Sequence, residues 1–134
     1  MKKNIIFIGI IVLIIAVLAF LHNPSEETVP TFNTISPGEV RELLDNNEDF
    51  VLLDVRTHDE YTEGRIPGSL LIPYDEIEEL INVAVPDRNK KIIVYCHSGR
   101  RSRIASQTLI DLGYRNIYDL GGINDWPFEI EDEN

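Results

Sequence analysis

Residues Lys91–Gly113 read KIIVYCHSGRRSRIASQTLIDLG, and the change of pattern inside this stretch decides the fold. Ile92, Ile93, Val94 and Tyr95 form a β-branched and aromatic run that predicts a buried strand. From Ser102 onward, Ile104, Ala105, Thr108, Leu109 and Leu112 recur at the spacing of one helical face. That pattern predicts a helix opening at Ser102 and closed by Gly113 as its C-cap. Between the two lies Cys96-His97-Ser98-Gly99-Arg100-Arg101, with Cys96 at the carboxyl end of the strand.

A loop that feeds a helix can turn its backbone N–H groups toward one point, and the helix N-terminus adds positive potential there. Such a site stabilises a thiolate, the nucleophilic form of cysteine. Gly99 allows a tight turn and a close backbone approach. Arg100 and Arg101 add positive charge for an anionic substrate. The segment therefore reads as a cradle for a sulfur anion or an oxyanion around a nucleophilic Cys96. A packed core thiol is the plainer alternative, and the polar, cationic neighbours weigh against it.

Outward from this stretch, strand and helix signals alternate. Phe32–Ile35 predicts a short edge strand. Ser36, Pro37 and Glu39 form a capping box for a helix whose buried face is Val40, Leu43 and Leu44, ended by Asp45-Asn46-Asn47. Phe50–Val55 reads as a second buried strand. His58–Glu63 predicts a short helix, Arg65–Ser69 a turn, and Leu70–Ile72 a short strand. Asp75–Ile81 predicts a helix with Ile77, Leu80 and Ile81 inward, and Asn116–Leu120 a last strand before a turn at Gly121-Gly122. Trp126 reads as a core plug, and Glu129–Glu133 as a solvated acidic end. Alternation of this kind predicts an α/β domain: a mostly parallel central sheet with helices on both faces. Ligands of such sheets bind beyond the carboxyl ends of the strands, where Cys96 and Asp54 both lie.

The chain has 134 residues and a formal charge of −11. This length allows one domain with its own core, and the acidic balance argues against nucleic acid as a partner. Positive charge is local, at Arg100, Arg101 and Arg103. Cys96 is the single cysteine, so no internal disulfide or CxxC site is possible. His22 and His58 are too scattered for a metal site.

Lys2 and Lys3 precede Ile5–Leu21, which carries no polar side chain. As a helix that run spans about 25 Å, close to a hydrocarbon core of about 30 Å. It reads as a membrane anchor or a signal peptide; no A-x-A cleavage site follows, which favours the anchor. The two lysines would stay inside, so the remainder is expected outside the cytoplasm, membrane-anchored or exported. The expected division is a leader at 1–22, a linker at 23–31 containing Pro24, Glu26, Glu27 and Pro30, and one folded domain at 32–134.

Four segments then resemble the single-domain rhodanese family. Leu53-Asp54-Val55-Arg56 with Glu60-Tyr61 is similar to L-D-V-R-x-x-x-E-[FY]. Gly64–Ser69 is similar to G-H-I-P-G-A, with Arg65 in place of the usual histidine. Tyr95–Ser102 resembles the active loop Y-C-x-S-G-x-R-S. Gly113-Tyr114, Leu120-Gly121-Gly122 and Trp126 resemble the closing G-[YF]…L-x-G-G-x-x-x-W. The resemblance implies a rhodanese-like fold and a thiosulfate sulfurtransferase: Cys96 takes a sulfane sulfur from a small anionic donor as a persulfide and yields it to cyanide or a thiol. It implies no metal and no organic cofactor. It assigns His97, Ser98, Gly99, Arg100, Arg101 and Ser102 to the substrate-binding loop, and Asp54, Arg56, Glu60 and Arg65 to its support. Arg101 is expected to brace the loop or touch substrate, Arg56 to pair with Glu60, and Asp54 to accept from loop amides or Arg101. Two alternatives remain. One is a phosphatase or arsenate reductase on the same scaffold, whose loop resembles C-x5-R and is one residue longer than the segment from Cys96 to Arg101. The other is a sulfur-carrier or binding module that needs a protein partner.

Overall fold

A computed structural model describes residues 1–21 and 31–132; most of the expected linker lies outside the described residues. The N-terminal helix α1 (Lys2–Leu21) has no buried residue in its apolar window and is long and apolar enough to cross a membrane, as a signal anchor or signal peptide would be.

The folded domain follows the order β1 (Asn33–Thr34), α2 (Pro37–Asp45), β2 (Val51–Asp54), α3 (His58–Glu63), β3 (Leu70–Leu71), α4 (Ile77–Ala84), β4 (Ile92–Cys96), α5 (Arg100–Asp111), β5 (Ile117–Gly122) and a short 3-10 turn at Ile123–Asp125. The strands form one sheet in the order β1-β5-β4-β2-β3, with every pairing parallel. β4 is central and all its residues are buried, because alternate side chains feed two cores. Val94 and Cys96 join Leu53, Ile77, Ile81, Ala105 and Leu109 on the face of α4 and α5. Ile93 and Tyr95 join Val40, Leu52, Ile66 and Trp126 on the other face. This two-sided burial is why β4 reads as an unbroken apolar run.

The capping box of α2 forms as its sequence predicts, with Ser36 and Glu39 exchanging hydrogen bonds. Thr57 and Glu60 build a second box at α3. α4 begins at Ile77 rather than Asp75, and Leu80 faces outward at 43% exposure while Ile77 and Ile81 are buried.

Two boundaries near Cys96 depart from the sequence expectation. α5 starts at Arg100 and not at Ser102. Gly99 takes a left-handed conformation, φ 99°, and acts as the N-cap, a state that an L-residue rarely adopts. The Ser102 hydroxyl lies within the first turn and donates to the Gly99 carbonyl at 3.1 Å. Only His97–Gly99 therefore separates strand from helix, and Arg100 and Arg101 ride on the first helical turn.

β5 also runs further, through Gly121 and Gly122, which pair with Tyr95 and Cys96 after a register shift. A Cβ on Gly122 would meet the His97 carbonyl oxygen at 2.4 Å and the Ser98 Cα at 2.8 Å. The glycine is what lets the loop after Cys96 lie directly on β5.

Candidate active site

Cys96 ends β4, and the Gly99 amide donates to its Sγ at 3.0 Å. Among the described residues this is the one amide that reaches the sulfur, so the convergence expected of the whole loop narrows to one donor. The thiol has no exposed surface and sits against the α4–α5 core. Both readings of the cysteine thus hold in part: it is packed among aliphatic side chains, and it accepts a main-chain hydrogen bond at the head of a helix. His97 and Ser98 are exposed, as are Arg100 and Arg103. Among the described residues His97 makes no side-chain hydrogen bond; its carbonyl accepts from the Asn124 amide at 3.3 Å.

The supporting ion pairs differ from those expected. Arg56 pairs with Asp54, not with Glu60. Its Nη2 lies 2.7 Å from Asp54 Oδ2 and donates to the Gly64 carbonyl at the same distance. The Asp54 Oδ1 also accepts from the Arg56 amide at 3.0 Å. Both side chains are buried. The two residues are close in sequence, and the turn leaving β2 brings the guanidinium back onto the carboxylate. Asp54 is thereby occupied and takes no hydrogen bond from Arg101.

Glu60 is held by Arg101 in a two-bond fork, 2.8 Å for each bond, a geometry that suits a planar guanidinium. The same carboxylate accepts from the amide and hydroxyl of Thr57. Arg101 hydrogen bonds, reinforced by those of Thr57, hold the Glu60 carboxyl down to about 2, and the contact raises the Arg101 pKa. Arg101 thus ties the first turn of α5 to the first turn of α3, so bracing describes its resting role. Tyr95 adds another tie across the site's floor: its hydroxyl donates to Ser69 Oγ at 3.0 Å and accepts from the Ile66 amide at 3.2 Å. Burial and the nearby Asp54 charge push its pKa up.

Arg65 is tied to the acidic end of the chain. Its backbone forms an antiparallel bridge with Glu131, and its Nε lies 3.1 Å from Glu131 Oε1. The acidic end expected to be wholly solvated is pinned there. Sequence reading missed Thr57 and Asn124 as supports; Thr57-x-x-Glu60 is itself a capping-box pattern and was a usable signal. Asn124 supports His97 through its backbone and carries no side-chain signature.

The structure defines a parallel α/β domain that presents a single cysteine at the carboxyl end of its central strand, capped by a helix. The chain belongs to the rhodanese-like domain family, whose pattern matches residues 36–128. A Bacillus subtilis relative, YrkF, provisionally named a sulfur carrier protein, is 33% identical over 108 residues, covering 80% of this chain and 57% of the relative. The chain thus spans little more than half of that relative's length. The thiosulfate sulfurtransferase PspE of Escherichia coli is 38% identical over 73 residues, covering 54% of this chain and 70% of its own. Among solved structures, an E. coli rhodanese with anions superposes with a TM-score of 0.58 at 34% identity, covering 61% of this chain and 96% of that one. The human single-domain sulfurtransferase TSTD1 does so at 0.63 and 29%, covering 69% and 93%. Several of the family's members that this chain resembles are named as sulfurtransferases.

Proposed function

We propose that this chain is a thiosulfate sulfurtransferase working through a persulfide on Cys96. The carrying observation is the Gly99 amide aimed at Sγ from the head of α5. The Cys96 thiolate attacks the outer sulfur of thiosulfate; a new S–S bond forms, the old one breaks, and sulfite leaves with the electron pair. Cyanide or a thiolate then attacks the outer persulfide sulfur, and the Cys96–S bond breaks with its pair returning to Sγ. The Gly99 amide stabilises the anion in the resting and loaded states. Arg100, exposed on the first turn of α5, draws the donor in. Because Sγ is covered at rest, the His97–Gly99 loop must shift for the donor to reach it.

The sulfur reading is favoured over phosphate transfer by Arg101. Its guanidinium is paired with Glu60, and it follows Cys96 after four intervening residues, one fewer than in the C-x5-R pattern. The domain spans residues 32–134 and works outside the cytoplasm behind the leader at 1–22.

Intact mass after thiosulfate treatment tests the chemistry. Wild type is expected to gain one sulfur atom that cyanide removes, and Cys96→Ala to gain none. Release of phosphate from an aryl phosphate, with no sulfur gained, would overturn the reading. A stable persulfide that neither cyanide nor thiols discharge would make the chain a carrier.

A further inference from the structure

His97 opens onto a cleft of about 400 Å³, within the size range of small-molecule sites. One side is apolar: Ile123, Trp126, Phe128 and Ile130 line it. Phe128 and Ile130 are 36% and 55% exposed, so these apolar side chains gather around a concavity rather than scatter.

The wall is braced. The Trp126 and Phe128 rings meet edge to face with centroids 5.0 Å apart, and Trp126 Nε1 donates to the Glu129 carbonyl at 3.2 Å. Beyond them the Arg65–Glu131 bridge pins the chain end through amide–carbonyl bonds of 2.8 and 2.9 Å. Ile130 is seated over Gly64, where a Cβ would lie 3.0 Å from its Cδ1. Ile130 and Glu131 lie past the family pattern, which stops at residue 128, and Arg65 replaces the family's usual histidine.

The charges of the cleft do not suit an anion. Arg56 is neutralised by Asp54, and Glu60 is matched by Arg101. Glu63 is the lining charge with no ion-pair partner among the described residues. The exposed arginines of α5, Arg100 and Arg103, are not part of the lining.

We propose that this cleft takes the sulfur acceptor, a neutral or cationic thiol with an apolar body. The proposal rests on sulfur transfer at Cys96. Cys96 is buried and outside the lining, so the acceptor reaches it when the His97–Gly99 loop, whose His97 borders the cleft, shifts. The acceptor thiolate then attacks the outer sulfur of the Cys96 persulfide; one S–S bond forms, the Cys96–S bond breaks, and the acceptor leaves as its persulfide while Sγ regains the electron pair. The apolar body lies against Phe128 and Ile130, and the Glu63 carboxylate turns away anionic thiols.

Trp126 is the single tryptophan, so its fluorescence reports the cleft. Cys96→Ala protein titrated with 2-phenylethanethiol is expected to show a saturable change, and titration with mercaptosuccinate none. Adding Ile130→Ser should raise the half-saturation about fivefold. In turnover with thiosulfate, the kcat/KM ratio of 2-phenylethanethiol over mercaptosuccinate should fall about fivefold in Ile130→Ser, and also fall in Glu63→Gln. No saturable fluorescence change, or a ratio unmoved by both substitutions, overturns the proposal. Saturation in Cys96→Ala, with a wild type that gains no sulfur from thiosulfate, would leave the cleft standing as a thiol site and remove the sulfur-transfer reading instead.

Discussion

Two arginines brace the site, and they do so under opposite conditions. Arg56 and its partner Asp54 are withdrawn from water, with side-chain exposures of 5% and 0%. Arg101 and Glu60 are half-buried, at 18% and 29%. The first pair closes the turn after β2 and anchors the Gly64 carbonyl. The second spans α3 and α5, elements far apart in sequence. Burial decides what each can do. A buried pair contributes little over an apolar substitute but is costly to break, whereas a half-exposed pair is modest in either direction. Asp54–Arg56 therefore governs whether the sheet edge holds its shape. Glu60–Arg101 governs how α5, and with it the Gly99 amide, is held against α3.

The largest break in this comparison is Asp54→Asn, which leaves the Arg56 guanidinium buried without its counter-charge. The expected loss is about 3–5 kcal/mol of folding stability, read as a fall in the urea midpoint. A loss no larger than that of a surface substitution would show that the pair is not the edge's anchor.

Glu60→Gln is the next effect down, about 1 kcal/mol at neutral pH. Its pH profile separates the two pairs more sharply than its size. Arg101 holds the folded Glu60 carboxyl down to about 2, against an ordinary 4.5. The contact therefore stabilises the fold fully above about 4.5 and is lost as pH falls through about 2. Wild type should lose stability over that window more steeply than Glu60→Gln, which has no carboxylate to protonate. Parallel acid limbs for the two proteins would mean that the fork contributes nothing to the fold.

The sequence carried much of this architecture, for identifiable reasons. β4 and α5 announce themselves because one is buried on both faces and the other on a single stripe. The capping box at Ser36 uses side-chain chemistry that is local to a few residues. What escaped depends on partners that spacing does not specify. Arg56, Arg101, Asp54 and Glu60 offer more than one neutral pairing, and only the turn after β2 and the placement of α5 select between them. The true start of α5 was hidden because Gly99 caps with its backbone conformation, while Ser102 looks like a side-chain cap. The burial of Cys96 was hidden as well: its polar neighbours in sequence point to other faces, and its own side chain follows the alternation of β4 into the α5 core. The grip of Arg65 on Glu131 joins two segments with no shared motif.

Arg100 completes the contrast, for it sits beside Arg101 on the same helical turn yet is exposed and makes no ion pair among the described residues. With no structural partner to lose, its replacement should leave the unfolding free energy, read from urea titration, within about 0.5 kcal/mol of wild type. Its effect belongs to the approach of the substrate. The chain carries −11 overall and repels a dianion at long range, so a local positive site matters most when screening is weak. Salt shortens the reach of both fields, from a Debye length of about 30 Å at 0.01 M to about 8 Å at 0.15 M. At low salt, kcat/KM for thiosulfate should be lower in Arg100→Ala than in wild type, and the gap should narrow as salt rises. A gap of constant size across the salt series would assign Arg100 a contact role rather than a steering one. No gap at any salt would remove it from the donor's path and leave the helix head and the Gly99 amide to attract the anion alone.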